Sequence, residues 1–157
     1  MFEFVYGHDA EIVRFIGQFI PTSTTNLGRC KTIGVIDGDG VLVAGLIYYD
    51  YKPAAGTIEL GAASSTPRWL NRTTYRRMFE YPFIECGCQM VTVHASAEKE
   101  ALLTLLARMN FSLTYVPRLC GRSEDGVLCT LTDDQWLDSR VARRIYRGVN
   151  KNIEEAA

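Results

Sequence analysis

The stretch that decides the fold begins Gly56-Thr-Ile-Glu-Leu-Gly-Ala-Ala-Ser-Ser65 and continues Thr66-Pro-Arg-Trp-Leu-Asn-Arg-Thr-Thr74. The first segment predicts a β-strand and the second a loop, followed by a helix to about Gly87 and a second strand, Gln89 to Ala95. Two strands joined through a helix predict a βαβ unit with parallel strands and a right-handed crossover. Ligands of such units bind beyond the carboxyl ends of the strands, where the loop meets the helix N-terminus.

The junction between this loop and the helix is basic. No acidic residue lies between Ser64 and Phe79, whereas the same stretch contains Arg68, Arg72, Arg76 and Arg77. Free N–H groups at a helix N-terminus and fixed positive charge both favour an anion. The pattern therefore predicts a site for a phosphate-bearing cofactor. The alternative is that these arginines form a solvated helix face.

Composition excludes several classes of protein. A chain of 157 residues with 47% hydrophobic and 22% charged residues is typical of one soluble globular domain. The net charge of −1 argues against nucleic acid as a partner. The chain has no apolar run of about 20 residues, the length that a membrane-spanning helix needs. The segment Met1 to Tyr6 is not a basic segment leading into an apolar one, which a signal peptide would have. We expect no membrane association and a cytoplasmic location. Five cysteines without paired spacing predict reduced thiols and no metal site.

The elements around the βαβ unit predict one α+β domain with a mixed sheet of six or seven strands. A short strand and a helix from Asp9 come first, and three antiparallel strands then lead into the unit. A helix from Glu98 to about Met109 and a hairpin follow. Thr132 and Gln135 have the spacing of a capping box and predict the start of a C-terminal helix. We thus expect a domain over residues 1–132 and a terminal helix over 133–157.

The terminal helix is expected to be amphipathic. Apolar residues recur at every fourth position, with arginines and a lysine around them: Leu137, Val141, Ile145, Val149 and Ile153. Such a helix packs on the domain itself, pairs with a second copy in a homodimer, or lies on an acidic partner. All three alternatives stay open at this point.

The element order and two segments resemble the Gcn5-related N-acetyltransferase (GNAT) superfamily. Phe79 to Val93 (FEYPFIECGCQMVTV) is similar to the end of the family's third helix and its fifth strand. Ala101 to Phe111 (ALLTLLARMNF) is similar to the following helix, which in the family ends Leu-x-x-(Lys/Arg)-x-Gly-Phe. The loop around Thr66-Pro-Arg-Trp is most similar to GNAT-like proteins encoded by bacteriophages. The resemblance implies parallel fourth and fifth strands that splay apart.

The chain departs from the family pattern at two functional places. The family's diphosphate loop, (Gln/Arg)-x-x-Gly-x-(Gly/Ala), corresponds to Thr66 to Asn71, which contains no glycine. The tyrosine that often protonates the leaving thiolate corresponds to Leu106, and the asparagine near the start of that helix corresponds to Lys99.

The resemblance implies acetyl-CoA as cosubstrate and an amine, on a small molecule or a protein, as acceptor. Pantetheine would bond to the main chain of the fourth strand, and the diphosphate would meet the loop and helix N-terminus. The alternative explanation for the small residues of the fourth strand is that they allow a helix to pack closely against the sheet. The cofactor-binding residues expected on this basis are Gly61, Ala62, Ala63, Arg68, Asn71, Arg72, Thr73, Thr74, Arg76 and Lys99.

Two residues are candidates for the catalytic base. Glu59 lies two residues before Gly61 on the same strand, and His94 lies near the end of the next one. A surface carboxylate and a structural histidine are the alternatives. The sequence thus favours an N-acetyltransferase, in the host cytoplasm if phage-encoded. The other hypothesis is an inactive GNAT-fold protein that binds a partner in a virion or a host.

Overall fold

A seven-stranded mixed sheet with helices on both faces forms the core of the computed structural model, which describes residues 1–20 and 28–146. The strand order is β1-β2-β3-β4-β5-β7-β6, and every neighbouring pair is antiparallel except β4 and β5. The strands are β1 (Glu3–Val5), β2 (Cys30–Ile36), β3 (Leu42–Lys52), β4 (Thr57–Ser64), β5 (Met90–Ser96), β6 (Ser112–Gly121) and β7 (Glu124–Thr132). The helices are α1 (Asp9–Gly17), α2 (Arg72–Glu80), α3 (Glu100–Arg108), α4 (Asp133–Asp138) and α5 (residues 140–146).

The predicted parallel pair is confirmed, and it is short. β4 and β5 pair at Thr57 with Met90, Ile58 with Val91 and Glu59 with Thr92. Beyond these pairs β4 stays bonded to β3 as far as Ser64, while β5 stays bonded to β7 as far as Ser96. Each strand follows its other neighbour, so the two splay apart from Glu59 onward.

One face of the sheet is covered by α1. Ile12 and Ile16 are buried there against Ile47 and Ala63. The helix can approach closely because β3 has a glycine beneath it. A Cβ atom built on Gly45 would lie 2.9 Å from Cγ2 of Ile12.

The opposite face holds the larger core, which packs under α2 and α3. The α2 helix ends earlier than predicted, at Glu80, and the chain continues in a wider π-helical turn, Tyr81–Glu85. Pro82 has no N–H and cannot donate to the carbonyl of Met78 four residues earlier. That carbonyl instead accepts a hydrogen bond of 2.6 Å from the buried Tyr48 hydroxyl. Burial raises the pKa of Tyr48, so its hydroxyl remains a donor.

The C-terminal segment begins as predicted but is not one continuous helix. The capping box of Thr132 and Gln135 is present at the start of α4. The chain then turns extended at Ser139, whose hydroxyl donates to the Trp136 carbonyl and accepts from the Ala142 N–H. The same side chain therefore ends one helix and caps the next.

This break changes which residues face the core. Trp136 is 3% exposed and stacks on Phe83 with ring centroids 5.1 Å apart, whereas Leu137 is 53% exposed. Val141 and Ile145 are half-buried against the core. The predicted apolar stripe is therefore wrong at Leu137, and its members Val149 and Ile153 lie outside the described residues. No helix within residues 1–20 and 28–146 has the length and apolarity to cross a membrane.

Replacing Trp136 by Ala should lower the free energy of unfolding by about 3–5 kcal/mol, since a large buried side chain leaves a cavity. Replacing the adjacent, exposed Leu137 by Ala is the matched control and should change it by less than about 0.5 kcal/mol. Urea unfolding followed by far-UV circular dichroism measures both. Equal losses for the two variants would contradict the packing described for α4.

Candidate active site at the opening between two parallel strands

The predicted pantetheine-binding residues lie on the part of β4 that has left β5. Gly61, Ala62 and Ala63 pair with β3 on one side, and among the described residues the ladder to β5 has already ended at Glu59. The edge of β4 that faces β5 is therefore an unpaired strand edge, which can accept an extended ligand through main-chain hydrogen bonds. Ala62 packs on the larger core and Ala63 against α1, so these two also serve helix packing.

The two candidate bases, Glu59 and His94, are in direct contact at this opening. Nδ1 of His94 forms a short hydrogen bond to Oε1 of Glu59. The same carboxylate oxygen accepts a hydrogen bond of 2.6 Å from the hydroxyl of Tyr49. The Glu59 side chain is 13% exposed and that of His94 is 40% exposed. We call these three residues the Tyr49–Glu59–His94 cluster.

Strand register explains the contact between the two candidates. Glu59 pairs with Thr92, and side chains two residues apart on a strand point to the same face. His94 therefore lies on the same face of the sheet as Glu59, two residues beyond the last β4–β5 pair. Gly61 occupies the corresponding position on β4, where an added Cβ atom would lie 3.0 Å from Cγ2 of Ile47.

Tyr49 was missed by the sequence reasoning. In the structure Lys52 pairs with Thr57 beside the turn of the hairpin, and regular counting from that pair would place Asp50 opposite Glu59. The structure instead has a register shift between Tyr49 and Lys52, and Asp50 has a φ of 50°. This irregularity brings Tyr49 opposite Glu59. Burial and the hydrogen bond to Glu59 raise the pKa of Tyr49, so the hydroxyl stays protonated at neutral pH.

The N-terminus of α2, where a diphosphate was expected, is occupied by the protein's own capping box. The Asn71 side chain accepts hydrogen bonds of 2.9 Å from the Thr73 N–H and 3.0 Å from the Thr74 N–H. The Thr74 hydroxyl accepts from the Asn71 N–H at 2.9 Å and donates to the Trp69 carbonyl. Three of the main-chain donors expected to meet a phosphate therefore already have partners.

The four arginines of this region have different surroundings. Arg76 forms an ion pair of 2.6 Å with Glu80, and Arg77 forms one of 2.7 Å with Glu85 while also donating to the Tyr6 hydroxyl. The contacts of Arg77 link α2 to its neighbours, whereas the ion pair of Arg76 lies within α2 and its guanidinium lies 5.9 Å from the ring of Tyr146 on α5. Arg68 is exposed in a short 3₁₀ turn, Pro67–Trp69. Arg72, in the first turn of α2, is exposed and lines a cavity.

That cavity, of about 290 Å³, lies between α2, α3 and α5. Arg72, Arg108 and Arg144 supply its positive charge, and its remaining surface is mostly apolar. Its other lining residues are Leu70, Asn71, Tyr75, Leu105, Met109 and Val141. Arg108 and Arg144 were not among the predicted site residues, because their convergence depends on how three helices pack. Lys99 lies elsewhere, at the N-cap of α3, and is exposed.

Comparisons with known proteins place the fold. No protein-family model and no curated protein sequence matches the chain. Among solved structures, a mutant form of the spermidine/spermine N-acetyltransferase SpeG from Vibrio cholerae matches with a TM-score of 0.70 at 12% identity, covering 88% of this chain and 98% of that one. SpeG in complex with manganese ions matches with a TM-score of 0.67 at 13% identity, covering 87% of this chain and 95% of that one. A dodecameric structure of spermidine N-acetyltransferase from the same organism matches with a TM-score of 0.67 at 12% identity, covering 87% of this chain and 96% of that one.

At these identities the likeness shows the fold. The chain has the α+β fold of the GNAT superfamily, with a seven-stranded mixed sheet, a parallel β4–β5 pair and a C-terminal helix. The predicted fold class is confirmed. The similar structures named above are N-acetyltransferases.

Replacing Asn71 by Ala should lower the free energy of unfolding by about 1 kcal/mol, because two N–H groups at the start of α2 lose their acceptor. The matched control is Asn71→Asp, which keeps an acceptor oxygen at the N-cap and should stay within about 0.5 kcal/mol of the parent. Chemical denaturation measures both. An Ala variant as stable as the parent would show that the capping box contributes nothing measurable.

Proposed function

We propose that the protein is an N-acyltransferase that transfers an acyl group, with acetyl-CoA as the cosubstrate, to an amine. The observation that carries this proposal is the opening between β4 and β5 with the Tyr49–Glu59–His94 cluster beside it. The opening offers a strand edge to the pantetheine arm, and the cluster offers a proton acceptor next to it. The fold shared with N-acetyltransferases supports the same reaction class.

The residues of the opening fit the demands of acyl transfer. Main-chain groups of Gly61, Ala62 and Ala63 would hold the pantetheine arm along β4. An N–H group near Ala62 would stabilise the oxyanion that forms when an amine attacks the thioester carbonyl. Glu59 or His94 would accept the proton that the amine loses. Leu106 is buried in the core, so its position supplies no acid, and water would protonate the departing thiolate.

The cofactor phosphates would rely on side chains more than on main-chain groups. Arg72 supplies charge at the helix N-terminus, and Arg108 and Arg144 line the same cavity. The Asn71 side chain accepts from the N–H groups of residues 73 and 74, and the Thr74 hydroxyl accepts from the Asn71 N–H. A bound diphosphate would therefore meet these three N–H groups only by displacing both side chains. Arg68 and Lys99 are exposed and would add charge, whereas Arg76 would first have to leave Glu80.

The acceptor is proposed only as an amine, either of a small polyamine or of a protein. Spermidine is the amine named for the Vibrio cholerae enzyme, which makes it the first acceptor to test. That enzyme also has a dodecameric structure. For this chain we keep the homodimer through the C-terminal segment as a proposal.

A second function is favoured by one observation. The occupied N–H groups at the start of α2 remove the donors through which the family pattern binds a diphosphate. A GNAT-fold protein that has lost acyl transfer would show the same feature. Such a protein would instead bind a partner, in the virion or in the host cell if a phage encodes it.

Acetyl-CoA and CoA should raise the melting temperature of the protein, whereas AMP alone should raise it less; a ligand at a hundred times its dissociation constant adds about 2.7 kcal/mol. Replacing Arg72 by Ala should weaken CoA binding about tenfold in isothermal titration calorimetry, since one charge-assisted contact is lost. It should leave the binding of pantetheine, which has no phosphate, unchanged.

The matched control is Arg122→Ala, which removes an equal charge from the turn between β6 and β7 and should leave CoA binding unchanged. Release of the CoA thiol in the presence of spermidine, or of a peptide with a free lysine, reports transfer itself. Binding without transfer to either amine would favour the second function, and no binding of CoA would contradict the first.

A further inference from the structure

The Tyr49–Glu59–His94 cluster distinguishes the roles of the two candidate bases. Oε1 of Glu59 has two donors, the Tyr49 hydroxyl and Nδ1 of His94, and the side chain is nearly buried. A carboxylate so engaged is a poor acceptor for a substrate proton. The His94 side chain is the more exposed of the two and has a second nitrogen, Nε2, for which no protein partner is present among the described residues.

The hydrogen bond to Glu59 determines the tautomer of His94. A carboxylate only accepts, so the neutral imidazole must carry its proton on Nδ1. Nε2 then carries the lone pair. This follows from the same rule by which a carboxylate orients a histidine in other hydrolytic and transfer enzymes.

We propose that His94 is the general base of the reaction through Nε2, and that Glu59 and Tyr49 are positioning residues that hold its ring and tautomer. This assignment rests on the proposed acyl transfer. The amine nitrogen forms a bond to the thioester carbonyl carbon and passes its proton to Nε2 of His94, and the C–S bond breaks. The CoA thiolate takes a proton from water, and the imidazolium returns its proton to the hydroxide that remains. Glu59 stabilises the imidazolium that results.

The surroundings of His94 are consistent with this role. Glu59 on β4 touches it directly, and Tyr49 on β3 reaches it through Glu59. Asp50, which follows Tyr49, adds negative charge near the hydroxyl. On the other side β7 presents the uncharged Leu128 opposite His94. The contacts of the ring that the structure shows are therefore one carboxylate and one apolar neighbour.

The test compares four variants in acetyl transfer to spermidine and to a lysine peptide. His94→Gln should lower kcat/KM by about 10²–10⁴-fold, as expected for loss of a general base. Glu59→Gln should lower it by about 10- to 100-fold, since a charge-assisted hydrogen bond is lost, and Tyr49→Phe by about 2- to 10-fold. The matched control for the tyrosine is Tyr115→Phe on β6, which is exposed and should be unchanged.

Two further measurements separate this role from a structural one. CoA affinity of all four variants should stay within about twofold of the parent, with the loss appearing in kcat. The acid limb of the pH–rate profile should disappear in His94→Gln and persist in Tyr49→Phe. In ¹⁵N-labelled protein, long-range ¹H–¹⁵N spectra should show neutral His94 protonated on Nδ1, and Glu59→Gln should weaken that preference.

Several outcomes would overturn the assignment. If His94→Gln transfers as fast as the parent, or if Glu59→Gln loses more activity than His94→Gln, His94 is not the base, although the protein is still a transferase. A proton found on Nε2 of neutral His94 would also show that His94 is not the base. If the unaltered protein binds CoA but transfers to neither amine, the proposed function fails and the base assignment fails with it.

Discussion

The short parallel contact between β4 and β5 is the constraint on which the rest of the structure depends. Antiparallel ladders hold each of these strands on its outer side for longer than the three pairs that join them. Sheet twist then carries the two strands apart, because neither can leave its longer ladder without losing more hydrogen bonds. The opening is thus a consequence of unequal pairing. The groups proposed for the pantetheine arm and for proton transfer lie along its two edges, whereas those proposed for the phosphates line the cavity between α2, α3 and α5.

The helices keep this opening from closing or filling. On one face α1 packs tightly over β3 because Gly45 has no side chain, and Tyr49 of the cluster is half-buried against this core. On the other face the π turn after α2 is tied to the sheet by the Tyr48 hydroxyl, which satisfies the carbonyl that Pro82 leaves free. Trp136 completes this core from the C-terminal segment. Rigid packing on both sides lets a strand edge remain unpaired.

Some arginines of the α2 region form ion pairs within the protein, and others are exposed. Arg76 and Arg77 are neutralised by glutamates on neighbouring turns and carry out tethering roles. Arg72 has no such ion pair in the described part of the chain, and it converges with two arginines from other helices. A cluster of like charges costs free energy unless a counter-ion accompanies it. Under the proposed function, the phosphates of CoA would offset this charge.

The sequence by itself determined the order of elements and the parallel pair, because hydrophobic period and turn residues are local properties. It named Glu59 and His94 as separate candidates, and the contact between them is seen only in the structure. It also indicated where α4 starts, through the side chains of Thr132 and Gln135. Only the tertiary structure decided the place of Tyr49, since a register shift in the preceding hairpin overrides simple counting. The break at Ser139, the exposure of Leu137 and the convergence of Arg72, Arg108 and Arg144 likewise arise from contacts between elements far apart in the chain. Such contacts depend on packing, and no periodic pattern in one segment contains them.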